Sequence, residues 1–98
     1  MDKDDVIATL RAHQAELEKL GVRHAALFGS VARGEAGPDS DIDIAIQLDE
    51  TRLPGIYEFV GMTQQIAALF DGPVDVVERL ALKPKVSADA SADMIDAF

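Results

Sequence analysis

Three aspartates in this chain stand at spacings that suit a shared metal ion. Two of them, Asp41 and Asp43, belong to Asp41-Ile42-Asp43-Ile44-Ala45-Ile46-Gln47-Leu48, a stretch that alternates with period two. In a strand, residues i and i+2 point to one face with Cα atoms about 7 Å apart. Both carboxylates then reach a two-metal centre whose ions lie about 4 Å apart. The third, Asp75, stands between Val74 and Val76-Val77. An ionised carboxylate left unpaired among buried aliphatics costs on the order of several kcal/mol, so a buried Asp75 is expected to share the metal with Asp41 and Asp43.

Upstream of the pair lies Gly29-Ser30. Glycine lets a backbone approach a ligand closely, and a serine near the start of a short helix offers a hydroxyl and an N–H to phosphate oxygens. Arg33, one helical turn later, suits either a fork on those phosphates or a tie to Glu35 or Asp39, and the sequence leaves both open. A Gly-Ser pair alone is an ordinary turn, and an Asp-x-Asp pair alone is a solvated strand face. Their combination with a third Asp in an apolar strand gives the pattern its meaning. A calcium loop built from Asp39, Asp41, Asp43 and Glu50 is disfavoured, because Ile44 stands where such a loop turns on glycine and the Ile alternation calls for a strand. His13 and His24 have no nucleophile or carboxylate at useful spacing and read as structural or surface residues. Asp89, Asp93 and Asp96 at helical spacing read as a solvated face.

These residues need elements to hold them. Val6, Ile7, Leu10, Leu17 and Leu20 recur at helical spacing, with Asp2 or Asp4 as cap and Gly21 as stop, predicting one helix over 2–20. Val22 to Phe28 reads as a strand broken by Gly29-Ser30, followed by a brief turn or helix through Arg33. Loop chemistry from Gly34 to Ser40 leads into the Asp41–Leu48 strand, whose Ile42, Ile44, Ile46 and Leu48 face the core. A second amphipathic helix uses Ile56, Phe59, Val60, Ile66, Leu69 and Phe70 and stops at Gly72-Pro73. Val74–Val77 is a third strand, and Ser87–Phe98 reads as a final helix with Met94, Ile95 and Phe98 as contacts. The order implies an α/β (α+β) domain with a small mixed sheet and flanking helices, spanning 1–98 as one unit.

Composition narrows the chemistry. The 98 residues carry a formal charge of -9, which opposes the counterion release that holds proteins on nucleic acid, so no direct nucleic acid binding is expected. A polyanionic triphosphate meets the same repulsion unless divalent cations invert the local field. No apolar run approaches the roughly 18 residues of a membrane span, and the acidic N-terminus is unlike a signal peptide; a cytoplasmic protein is expected. With no Cys, packing alone must stabilise the fold.

The chain resembles the minimal nucleotidyltransferases (MNT domains) of the DNA polymerase beta-like superfamily. The resemblance runs through Gly29-Ser30-Val31-Ala32-Arg33-Gly34-Glu35, Ser40-Asp41-Ile42-Asp43-Ile44, Val74-Asp75-Val76-Val77 and Leu82-Lys83-Pro84. It implies a nucleotidyltransferase fold in which Asp41 and Asp43 ligate two Mg2+ ions and Asp75 completes the metal site and serves as base. Gly29, Ser30, Arg33 and Ser40 would bind the nucleotide, with ATP as substrate. It further implies an antitoxin that adenylylates a tyrosine of a partner HEPN ribonuclease toxin. The tail from Lys85 to Asp96 departs from the family pattern in being more acidic and richer in Ser and Ala. A masking module that neutralises a partner without catalysis is the alternative, and transfer to a small hydroxylated molecule is disfavoured by the lack of room for an acceptor domain.

Overall fold

A computed structural model describes residues 2–35, 37, 41–49, 51, 55–79 and 94–98. Ser40, Asp39, Glu50, Asp89, Asp93 and the Leu82-Lys83-Pro84 segment lie outside the described residues.

The N-terminal amphipathic segment forms two helices in place of the single one expected. Helix α1 (Lys3–Ala12) opens with a capping box: Asp5 N–H donates to the Asp2 carboxylate at 2.9 Å, and the Asp5 carboxylate faces back to Asp2 N–H. It closes at His13, where Nδ1 lies 2.9 Å from the Thr9 carbonyl, and α2 (Gln14–Lys19) continues from there. The two short helices bury Val6, Ile7, Leu10 and Leu17 against the sheet.

Strand β1 (Val22–Phe28) pairs antiparallel with β2 (Ile42–Leu48). The register slips between Val22 and His24, so an extra residue bulges at the start of β1 and leaves Arg23 and His24 exposed. Beyond the bulge, Ala25 and Leu27 face the core. Along β2, Ile42, Ile44, Ile46 and Leu48 are all buried, as their alternation requires. Their intervening partners, Ala26 of β1 and Ala45 of β2, stand opposite one another and are buried on the other side of the sheet. The strand geometry of 42–48 also removes the calcium-loop alternative, which needs a coil there.

A parallel neighbour of β2 needs a crossover, and α4 (Ile56–Ala67) supplies it before β3 (Val74–Glu78). Met62 and Ile66 are the buried anchors of α4, with Phe59 and Leu69 partly buried beside them. Ile56 and Val60, expected in the core, are exposed instead. Residues 56 and 60 lie on a different stripe from 62 and 66, and a single helix of this length can seat one stripe on the sheet.

The final helix expected over 87–98 is absent where it can be seen. Residues 94–98 are extended, and β4 (Ile95–Asp96) pairs antiparallel with β1 through Leu27 and Ala26. Ala97 N–H adds a bond to the Ala25 carbonyl at 2.8 Å, and Arg11 Nε donates to the Ala97 carbonyl at 2.8 Å. Weak helical periodicity is overridden because the open edge of β1 offers backbone groups that require partners. The sheet order is β3-β2-β1-β4, a mixed sheet with flanking helices.

Among the described residues no helix is long and apolar enough to cross a membrane. The contrast between β2 and α4 can be checked directly. Ile44→Ala should cost about 2–5 kcal/mol of stability, whereas Val60→Ala should stay within about 0.5 kcal/mol, both read from urea unfolding midpoints.

Candidate active site

At one end of the sheet, three features converge by strand register alone. Phe28, the last residue of β1, pairs with Asp43, so Gly29 emerges beside that carboxylate. Asp43 in turn pairs with Asp75 across the parallel β2/β3 ladder. Paired residues on neighbouring strands share a face about 4.8 Å apart, which sets the two carboxylates side by side on the face away from the Ile42/Ile44/Ile46 core. Asp41 lies just before β2, exposed, and adds its charge to the same end.

Gly29 has φ +78°, a backbone region costly for residues with a side chain. Its second constraint is steric: a Cβ built there would overlap the Asp43 carboxylate oxygen Oδ2 and lie 3.1 Å from its Cγ. The missing side chain thus makes room for Asp43, where the sequence suggested room for a ligand. From Gly29 the chain turns into the four-residue helix α3 (Gly29–Ala32), whose N-terminal end receives no side-chain cap. Ser30 is half-buried in its first turn, and its carbonyl accepts from Glu35 N–H at 2.9 Å.

Of the two roles open to Arg33, the structure displays the tie: Nε donates to Glu35 Oε2 at 3.0 Å. Both side chains are largely exposed, so this pair is worth little and can be exchanged for a stronger anion. Arg33 also acts on Asp43. Burial first, then the carboxylates of Asp75 and Asp41, push the Asp43 carboxyl above its ordinary value of 3.8, and the Arg33 guanidinium partly offsets them.

One expectation needs correction. Asp75 is exposed, because β3 is the edge strand and residue 75 lies on its outer face. Burial therefore does not oblige Asp75 to share a metal ion. The half-buried and charge-crowded group is Asp43. Among the described residues no group of three or more His, Asp or Glu side chains, Asp41, Asp43 and Asp75 included, is arranged to hold a metal ion by itself. Magnesium does not need such an arrangement, since it keeps several waters and takes one or two carboxylates together with phosphate oxygens. Hard oxygen donors crowded until one carboxyl resists ionisation suit such a cation.

Sequence reasoning missed the groove next to Asp75. It holds about 360 Å³ between Phe59, Thr63, Gln64 and Ala67 of α4 and Val74, Asp75 and Val76 of β3. Only the packing of α4 on β3 creates it, although the mixture of apolar and uncharged polar residues on one side of α4 was visible. The histidines play no part here: His13 closes α1, and His24 Nδ1 lies 3.4 Å from the Phe98 carbonyl.

Two measurements check this geometry. Gly29→Ala should lower stability by about 1–2 kcal/mol for the backbone alone, and more if Asp43 cannot yield, read by urea unfolding. The folded chain holds the Asp43 proton more tightly than the unfolded chain. The stability contributed by Asp43 is then fully present below pH 3.8 and is lost as the pH rises through the higher folded value. Asp43→Asn should accordingly melt above the wild type at neutral pH, with the difference closing as the pH falls below 3.8.

Comparison with known proteins places this geometry. The nucleotidyltransferase domain family matches residues 10–96. A protein of Thermococcus cleftensis named protein adenylyltransferase MntA is 33% identical over 93 residues, covering 94% of this chain and 92% of that protein. A solved structure described as a minimal nucleotidyltransferase superposes with a TM-score of 0.77 at 28% identity, over 97% of this chain and 95% of the other. The fold is also shared with a chain of the solved complex described as tri-AMPylated Shewanella oneidensis HEPN toxin in complex with MNT antitoxin, at a TM-score of 0.64 and 17% identity, over 94% of this chain and 71% of that one. Matched by the family model over residues 10–96 and 33% identical to the Thermococcus protein over 94% of its length, the chain belongs to the nucleotidyltransferase domain family.

Proposed function

We propose that this chain is a magnesium-dependent protein adenylyltransferase that moves AMP from ATP to a tyrosine of a partner HEPN ribonuclease toxin and so acts as its antitoxin. The observation that carries this reading is the in-register Asp43–Asp75 pair beside Gly29 and Ser30. The name of the Thermococcus relative supports the reaction class, and the AMPylated HEPN toxin held by the Shewanella antitoxin supports the choice of acceptor.

In this reading Ser30 and the backbone at Gly29 hold the triphosphate at the uncapped start of α3, and Arg33 exchanges Glu35 for a phosphate oxygen. Ser40 is assigned to the nucleotide as well. Asp41, Asp43 and Asp75 are the residues that would hold Mg2+, which when bound neutralises the triphosphate and the leaving pyrophosphate. Asp75, reachable from solvent, takes the proton from the acceptor hydroxyl. The hydroxyl oxygen bonds to the α-phosphorus, the bond to the β-phosphate oxygen breaks, and pyrophosphate departs.

The acid-rich composition favours one rival, a masking module that binds a basic partner without chemistry. Against it stands Asp43, a carboxylate whose crowding works against its ionised form and finds its compensation in a bound cation. Incubating the chain with its co-encoded HEPN protein, ATP and Mg2+ and reading the partner's intact mass separates the two. One or more added AMP units are expected, with the rate falling at least about a hundredfold in Asp75→Asn. A stable complex of unchanged mass would establish the masking module instead.

A further inference from the structure

Helix α3 ends in a closed turn that brings Glu35 back beside the helix. Gly34 takes φ +74°, its N–H donates to the Val31 carbonyl at 3.1 Å, and Glu35 N–H donates to the Ser30 carbonyl at 2.9 Å. These two bonds, with a glycine in the left-handed region between them, satisfy the last carbonyls of a helix. Backbone bonds therefore fix residues 33 and 35 relative to Ser30, independently of their side chains. The residue that leaves such a turn commonly packs an apolar side chain on the helix. Here it is an acid, and Glu35 Oε2 accepts from Arg33 Nε at 3.0 Å.

Arg33 acts on two sets of carboxylates. It bonds Glu35, and its charge also reaches Asp43, whose carboxyl burial, Asp75 and Asp41 push up while the guanidinium pulls it down. An arginine that reaches the carboxylates assigned to Mg2+ also reaches the phosphates that such an ion binds. The pair with Glu35 is 41% and 67% exposed, and exposed ion pairs add little to stability. The turn is closed by its backbone bonds without it. A triphosphate carries several times the charge of one carboxylate and so draws the guanidinium away from Glu35. Glu35 itself stays two residues distant, a tethered partner whose pull on Arg33 never dilutes.

We propose that Glu35 is an internal competitor for Arg33: it occupies the guanidinium in the empty site, yields it to the triphosphate and takes it back as pyrophosphate leaves, lowering the affinity for both. This rests on the adenylyltransferase reading above and adds a residue that sets how tightly nucleotide and product are held. Glu35 acts through Arg33 and touches no reacting atom.

The test measures Kd by calorimetry for ATP and for pyrophosphate, each with Mg2+, on the wild type, Glu35→Gln, Arg33→Gln and the double variant. Glu35→Gln should bind both ligands about two- to fivefold more tightly, the range set by one exposed ion pair, with the melting of the ligand-free chain unchanged. Damage to the fold would not raise affinity. Arg33→Gln should weaken binding, and in that background Glu35→Gln should change little, because the cycle isolates the pair. Unchanged or weaker binding by Glu35→Gln would overturn the proposal. So would an equal gain in the absence of Arg33, which would make Glu35 a general repulsive charge. If the wild type binds ATP with the expected pattern but transfers no AMP to its partner, the catalytic reading fails and the competition stands. If the wild type binds no ATP, both fall.

Discussion

The carboxylate of Asp43 occupies the space that a side chain at residue 29 would need, and this single packing constraint ties the end of β1 to the start of β2. It accounts for the glycine, for the turn that launches α3, and for the place of Ser30 one residue beyond the strand. It also brings Asp43 into a partly desolvated position where Asp75 and Asp41 oppose its ionisation. A cation and its accompanying phosphates are the natural answer to such crowding, as magnesium binds phosphate substrates through a few carboxylates and retained water.

Around that contact the fold is economical. The β2-α4-β3 crossover puts Asp75 in register with Asp43, and the same crossover leaves one side of α4 without a neighbour among the described residues. At the far edge, β4 covers β1, fastened by Arg11 from the first helix. Among the described residues the sheet is covered by β4 on the β1 side and open on the β3 side, where Asp75 faces solvent. An exposed carboxylate on an edge strand is accessible to large molecules, which a buried one among valines would not be.

Much of this was legible in the residues. The strict alternation of Ile42, Ile44, Ile46 and Leu48 fixed one strand and its buried face, and a cap at Asp2 or Asp4 marked the first helix start, which the structure places at Asp2. Gly29-Ser30, Asp41 and Asp43 pointed to the candidate site, because a period of two directs both aspartates toward one face. Other features were beyond such reading. Periodicity shows which residues of α4 are apolar but not which stripe the sheet covers, so Ile56 and Val60 were expected inside. Aliphatic neighbours around Asp75 suggested burial, yet exposure on a strand depends on whether another strand lies beside it.

Residue types and spacing by themselves determined the mixed α/β architecture, the aspartate pair and the glycine turn, all of which follow from local backbone geometry and side-chain chemistry. Only the tertiary structure decided that Asp75 meets Asp43 across a parallel ladder, that residues 95 and 96 form a strand, and that Tyr57 stands in solvent. Each of those depends on partners distant in the chain, where the backbone bonds and the covering surface are supplied by other elements.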